Sequence, residues 1–200
     1  MDLQGIEGRR SAATGVNQLR VDTKGGLMAH NYSGKYAEAA LAGRMFVVAS
    51  QSAVTTTKDN DTTWTGLGVG NPIGSGKNLI MHEFGWALII VGSDDGLVGL
   101  ASCAIGTDFT NSLTQRNCKW GGGPSVAYCD AGATIEAPIL ERVCGTHGMG
   151  ATTTEMSKPP NIVDLAGSIV LPPGRAIVTW TSEIVTSGLQ FHFVWEEVDA

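Results

Sequence analysis

The chain has 200 residues, 27 of them glycine, with charged residues at 16% and a formal net charge of −6. An average soluble protein carries about 25% charged residues and about 7% glycine, so the composition argues against long helices, inside which glycine is costly. The acidic balance argues against direct nucleic-acid binding, which needs an excess of Lys and Arg. A chain of this length forms one domain and buries roughly 70% of its unfolded surface.

Residues 1–18 are polar, glycine-bearing and aperiodic, and read as an extended N-terminal arm; residues 19–200 read as a single β-sandwich domain. The opening MDLQGIEGRR lacks the apolar core of a signal peptide, and no window approaches the 18 or more apolar residues of a membrane helix. The expectation is therefore a soluble protein made in a cytoplasm, with no membrane partner. Leu19–Val21 and Gly26–His30 read as short strands around Thr23-Lys24-Gly25. Lys35–Gly43 (KYAEAALAG) is the only stretch of good helix formers, and is short enough for an extended reading to stay open.

From Arg44 onward the pattern is β. Met45, Val47 and Ala49 alternate with Phe46, Val48 and Ser50, and a β-branched run, Val54–Thr57, follows. Asp59-Asn60-Asp61 is turn chemistry. Trp64–Val69 is a strand ended by Gly70-Asn71-Pro72. Asn78–Val91 is either one strand broken at Gly85 or two strands. Ser93-Asp94-Asp95-Gly96 is a hairpin signal, with Val98–Ile105 as the returning partner.

Residues 106–131 are polar, contain Gly121-Gly122-Gly123-Pro124 and read as a long loop. A β pattern resumes over Ala133–Val143, and 145–160 is a second loop. Three strands follow: Ile162–Leu171, Arg175–Val185 and Leu189–Val198. In the last, Leu189, Phe191, Phe193 and Trp195 share one face, and Gln190, His192, Val194 and Glu196 the other. In the strand before it, Ala176, Val178, Trp180 and Ile184 oppose Ile177, Thr179, Thr181 and Glu183. The second face of each is only partly polar, as where another surface packs on it. Eight or more strands at such spacing imply an all-β sandwich or jelly roll.

No motif carries catalysis, a metal or a cofactor, and the chain does not read as an enzyme. Gly74-Ser75-Gly76-Lys77 imitates a phosphate loop, but Asn71 and Asn78 stand where that motif needs glycine and Ser or Thr. It reads as a tight turn. His82-Glu83 is not HExxH, and His30, His82, His147 and His192 are far apart in sequence. Asp94-Asp95 and Glu196-Glu197 are adjacent carboxylates, which in a strand point to opposite faces. Asp59-Asn60-Asp61 lacks the glycine and distal glutamate of a calcium loop. Cys103, Cys118, Cys129 and Cys144 lack zinc spacing. Their clustering fits a local disulfide framework, for instance Cys118–Cys129 inside Cys103–Cys144, or four free thiols in a reducing cytoplasm. Trp120, beside three glycines, has three candidate partners: a sugar, a neighbouring subunit or its own domain.

Three stretches together carry a resemblance: Ala42-Gly43-Arg44-Met45-Phe46 leading to Thr55-Thr56-Thr57; TGLGVGNPIGSGKNLIMHE, Thr65 to Glu83; and FHFVWEEV, Phe191 to Val198. The chain resembles the capsid decoration, or cement, proteins of tailed bacteriophages. That resemblance implies a jelly roll assembling as a homotrimer on the outer capsid surface. There it would bind the major capsid protein and staple neighbouring copies of it, as a structural virion protein without enzymatic activity. The arm is the natural element for reaching the shell or a neighbouring subunit, with Leu3 and Ile6 as apolar anchors and Arg9 and Arg10 meeting acidic groups. The competing expectation is a tail-fibre or baseplate β-sandwich that binds host glycans.

Overall fold

The alternating apolar residues are realised as strands along most of the chain. The computed structural model describes residues 7–9, 16–18, 34–89, 95–106, 109–148, 160–185 and 188–200. Contacts divide the chain into two compact units, residues 1–37 and 38–200. In the first, strands β1 (Glu7–Arg9) and β2 (Val16–Gln18) pair antiparallel, Glu7 opposite Gln18 and Arg9 opposite Val16. The segment expected to be aperiodic thus contains a short ladder. The strands expected at 19–21 and 26–30 lie outside the described residues.

A five-residue helix, α1 (Ala37–Leu41), occupies the KYAEAALAG stretch. Ten strands follow: β3 (Met45–Ala49), β4 (Thr63–Gly70), β5 (Lys77–Leu88), β6 (Gly96–Ala104), β7 (Arg116–Asn117), β8 (Tyr128–Thr134), β9 (Glu136–His147), β10 (Asn161–Leu171), β11 (Arg175–Thr181) and β12 (Leu189–Asp199). They form two antiparallel five-stranded sheets, ordered β10-β5-β12-β3-β7 and β8-β4-β11-β6-β9. From β3 to β6 and from β9 to β12 the chain changes sheet at every step. Strand β12 lies between β3 and β5, and β11 between β4 and β6. That is the jelly-roll order, so the all-β sandwich expected from the spacing is the fold.

Several elements differ from their sequence expectation. Lys77–Leu88 is one strand, running through Gly85. A methyl group at Gly85 would lie 2.0 Å from His192 Cε1, so the glycine seats the imidazole of the neighbouring strand instead of breaking its own. Strands β5 and β6 are not a hairpin; they belong to different sheets. Turn chemistry at Asp95-Gly96 is local, whereas β5 pairs with β12 along its length, Phe84 opposite Phe193 and Trp86 opposite Phe191. Such aromatic pairs contribute more than a favourable turn residue. The run Val54–Thr57 is not a strand; Val54 and Lys58 make single bridges to Leu189 and Thr181. Strand β11 stops at Thr181, and Val185 beyond it is buried with its amide donating to Thr56 Oγ1 at 3.1 Å.

The core lies between the sheets. On β12 the alternation holds: Leu189, Phe191, Phe193 and Trp195 are buried, and the intervening side chains are half-buried on the outer face. On β5 it changes parity. Leu79 and Met81 are buried, and then Phe84 and Trp86. A bulge at His82 accounts for this, since Trp195 pairs with Met81 while Val194 pairs with Glu83. A bulge adds one residue to a strand and so exchanges its two faces. Phe84 then stacks on Phe193 at 5.0 Å, on Trp86 at 5.4 Å and on Phe191 at 6.1 Å between centroids.

A second apolar cluster covers the outer face of the other sheet. It joins Trp64, Ala101, Cys103, Phe109, Ile135, Ala176 and Val178, while Ile177 belongs to the core between the sheets. This explains why β11 is apolar on both faces. Gly68 and Gly70 of β4 form the floor on which Phe109 lies: methyl groups there would sit 2.9 Å from Phe109 Cζ and 2.8 Å from Ile105 Cδ1. The alternate glycines of TGLGVG thus make a trough for a ring.

Two substitutions test this packing by urea denaturation. Phe193→Ala removes the centre of the aromatic ladder and is expected to cost about 3–5 kcal/mol. Gly68→Val overfills the trough and is expected to cost about 1–3 kcal/mol; an unchanged midpoint would show that Phe109 does not occupy it.

Candidate functional surfaces

The phosphate-loop look-alike is a structural turn. Asn71 is fully buried and its amide donates to Lys77 O at 2.7 Å and Leu171 O at 2.8 Å. Its side-chain oxygen accepts from Ser75 Oγ at 2.6 Å. Its backbone amide donates to Arg175 O and its carbonyl accepts from Gly174 N. One asparagine therefore ties the β4–β5 turn to the β10–β11 turn. Gly74 and Gly76 supply the positive φ angles of 81° and 67° that the turn needs. Lys77 Nζ is paired with Asp199 at 2.6 Å, not held toward the turn.

The adjacent carboxylates of β12 do separate. Glu196 faces outward, 2.8 Å from Arg44 Nε and 3.5 Å from His82 Nε2. Glu197 is buried and accepts from Ser125 Oγ at 2.5 Å and Val126 N at 3.0 Å. His192 pairs with Glu83 at 2.8 Å on the same outer face. His147 stands at the end of β9 in the other sheet, and His30 and Asp94 lie outside the described residues. Among the described residues no three His, Cys, Asp or Glu side chains are grouped to hold a metal, and no helix is long and apolar enough to cross a membrane.

All four cysteines are free thiols. Cys103 and Cys129 are buried, Cys118 is exposed and Cys144 is half-buried. Cys103–Cys144 cannot close: Cys144 lies beside Val98 and Gly99 of β6, about 13 Å along the strand from Cys103, and a disulfide spans at most roughly 7 Å between Cα atoms. Burial pushes the Cys103 thiol up to about 11, against the pull of Arg175, and pushes Cys129 up further. Of the four arm residues singled out for partner contact, Arg9 is in β1; Leu3, Ile6 and Arg10 lie outside the described residues.

The polar insertion between β6 and β9 is a built layer, not a plain loop. Burial works against the Asp130 charge, but hydrogen bonds outweigh it and hold the carboxyl below its ordinary value; Ser112 Oγ donates at 2.6 Å and Thr110 N at 2.9 Å. Asn111 Oδ1 accepts from Cys129 N at 2.9 Å. The insertion supplies β7, which pairs with β3, and β8, which pairs with β4. It thus covers the edge of both sheets on one flank.

At the tip of that flank stands Trp120, 97% exposed. Its loop is tied down by Asn117, whose amide donates to Gly43 O at 2.9 Å and Gly123 O at 3.0 Å and whose oxygen accepts from Lys119 N at 2.8 Å. A methyl at Gly122 would lie 2.6 Å from Asn117 Cγ, so the glycine lets the loop close over this side chain. The indole does not pack on its own domain.

Among the described residues the opposite flank has no such cover. Among them strands β9 and β10 each pair on one side only. They lie together, since Arg142 donates to Ser168 Oγ at 3.2 Å and a methyl at Gly145 would meet the Trp86 ring. Ile139, Leu140, Val143, Ile162 and Val170 are exposed there. Edge strands of this length invite pairing, and bulges blunt them; β10 has one between Asp164 and Ile169, with Ala166 and Gly167 at positive φ. A cleft of about 570 Å³ opens on this flank, lined by Glu141, Ser168, Val170, Pro172, Arg175 and Ile177.

A further cleft, about 530 Å³, is lined by Asp95, Leu97, Thr146, His147 and Ser182. His147 is 5% exposed and neither ring nitrogen has a hydrogen-bond partner. The burial of this histidine follows from the tertiary position of β9, which its sequence neighbours do not reveal. No protein-family model, no curated protein and no solved structure matches the chain.

Burial lowers the His147 pKa, against the opposing pull of Asp95 and Glu183. The unfolded chain binds this proton near pH 6.5, the folded chain only at lower pH. The contribution to stability is complete above about pH 6.5 and is lost as pH falls toward the folded value. His147→Gln is expected to flatten the fall in urea midpoint between about pH 6.5 and 5; an unaltered pH slope counts against this.

Proposed function

We propose that the chain is a structural virion protein, a capsid decoration protein that binds the outside of a tailed-phage head as a homotrimer and braces neighbouring major capsid proteins. The observation that carries the reading is the unequal treatment of the two flanks. An insertion of about thirty residues covers one pair of sheet edges, while two strands of 12 and 11 residues are left open by the described residues and display apolar side chains. A monomer gains nothing from an open apolar flank, which costs solubility; a subunit of an assembly uses it. The resemblance of the Thr65–Glu83 and Phe191–Val198 stretches to decoration proteins supports the same reading, as does an acidic net charge of −6 suited to a particle's exterior.

In this reading the N-terminal segment meets the shell through Leu3, Ile6, Arg9 and Arg10. Every strand of the sandwich lies beyond residue 44, so removing residues 2–14 leaves the sandwich strands complete. The fully exposed Trp120 favours one alternative, a glycan-binding tail-fibre or baseplate module, because an indole stacks well on a sugar ring.

Immunogold labelling of particles from the phage that encodes the chain should place gold on the outer head; label confined to tail structures would select the glycan-binding alternative. The protein lacking residues 2–14 should fold and trimerise but occupy heads at least tenfold less. Equal occupancy would transfer attachment from the arm to the sandwich.

A further inference from the structure

We infer that copies of this chain meet head to tail, the Trp120 corner of one copy seating on the open β9–β10 flank of the next. The inference deepens the proposed function, on which it rests only for the place of the assembly, by naming the surfaces through which copies join. Three features fit the two flanks to each other.

The first is shape. Trp120 projects from a loop fixed by Asn117, so burying it orders few additional groups and loses little entropy. The open flank offers the concave counterpart, a cleft of about 570 Å³ with aliphatic walls from Val170 and Pro172. The second is electrostatics. Arg175 lines that cleft, and no ion pair engages its guanidinium among the described residues; a guanidinium over an indole face is a favourable cation–π arrangement. Arg116 and Lys119 are exposed beside Trp120, and Glu136 is exposed on β9. None of the three is in an ion pair among the described residues; in a head-to-tail contact Arg175 takes the indole face, and Glu136, with Glu141 of the cleft, offers acidic partners to Arg116 and Lys119.

The third is topology. The two flanks are opposite sides of the sandwich, because β7 and β8 lie at one end of their sheets and β9 and β10 at the other. A two-fold pair of copies cannot join the Trp120 corner to the cleft on both sides at once. A heterologous contact uses both surfaces of every copy when the rotation closes into a ring, and three copies are the ring expected here.

Native mass spectrometry of the full chain at micromolar concentration tests this with three variants, each verified as folded by circular dichroism. Wild type should be a closed oligomer. Trp120→Ala should weaken association at least hundredfold and Trp120→Phe much less. Ile139→Asp with Val143→Asp, on the other flank, should also give monomers. Mixing the two monomeric variants should yield a one-to-one heterodimer that grows no further, because each supplies the surface the other lacks. A monomeric wild type, an oligomer that survives both sets of changes, or a mixture that stays monomeric overturns the inference. So does a monomer whose Trp120 fluorescence responds to free hexoses, which would make the corner a sugar platform. All these readouts use isolated protein, so head labelling stands or falls separately.

Discussion

A single extra residue in β5 sets the terms for the whole sandwich. Leu79 and Met81 must face the same core as Phe84 and Trp86, and strict alternation cannot provide that. The bulge at His82 does. Its consequence runs in both directions across the sheet. Strand β12 keeps plain alternation and supplies Phe191, Phe193 and Trp195 to meet both halves of β5. Strand β10, on the other side, has its own irregularity between Asp164 and Ile169. The same bulge leaves His82 outside, against Glu196 and near Arg44. An ionic cluster on the outer face and an aromatic ladder on the inner face are therefore two results of one local event.

Around that ladder the chain is held by polar groups that are few and fully used. Asn71 makes five side-chain or backbone hydrogen bonds that join two turns. Glu197 fastens the end of the insertion to β12, and Asp130 fastens its beginning to β8. Each is buried and each is satisfied, the condition under which buried polar groups specify structure without destabilising it. His147 is buried without a hydrogen-bond partner, as are the indole nitrogens of Trp86 and Trp180, and it sits in a cleft away from the ladder.

How much of this can be read in the sequence depends on the distance over which each feature is determined. Strand β12 was legible because alternation is a property of neighbouring residues. The sandwich class was legible because strand number and spacing are. Partner choice was not: Asp95-Gly96 favours a hairpin locally, and only the aromatic pairing of β5 with β12 explains why β6 lies in the other sheet. The parity change at His82 leaves its trace as two apolar pairs on different phases, Leu79 and Met81 against Phe84 and Trp86, a signal that could have located the bulge. The glycines of TGLGVG read as a turn-rich motif, but the ring that fills their trough comes from Phe109, some forty residues along. The polar insertion looked like a loop because its order comes from side chains that bond across it. Trp120 is recognisable in sequence as an aromatic among glycines; that it faces solvent follows from Asn117 and could not be read there.

The positions of β11 and β12 carry a consequence for how the molecule is made. Each is the central strand of its sheet, and each is synthesised after all the strands it joins. Until Leu189–Asp199 has left the ribosome, β3 and β5 have no strand between them and the faces of Met45, Phe46, Phe84 and Trp86 have nothing to close on. The first half of the chain is then an apolar, strand-forming polypeptide with unpaired edges, a state prone to aggregation. Contacts of such long sequence separation also form slowly. Abundant production therefore depends on keeping the nascent chain apart from its own copies, and a premature stop within the last strand would yield a product without a core instead of a shortened one.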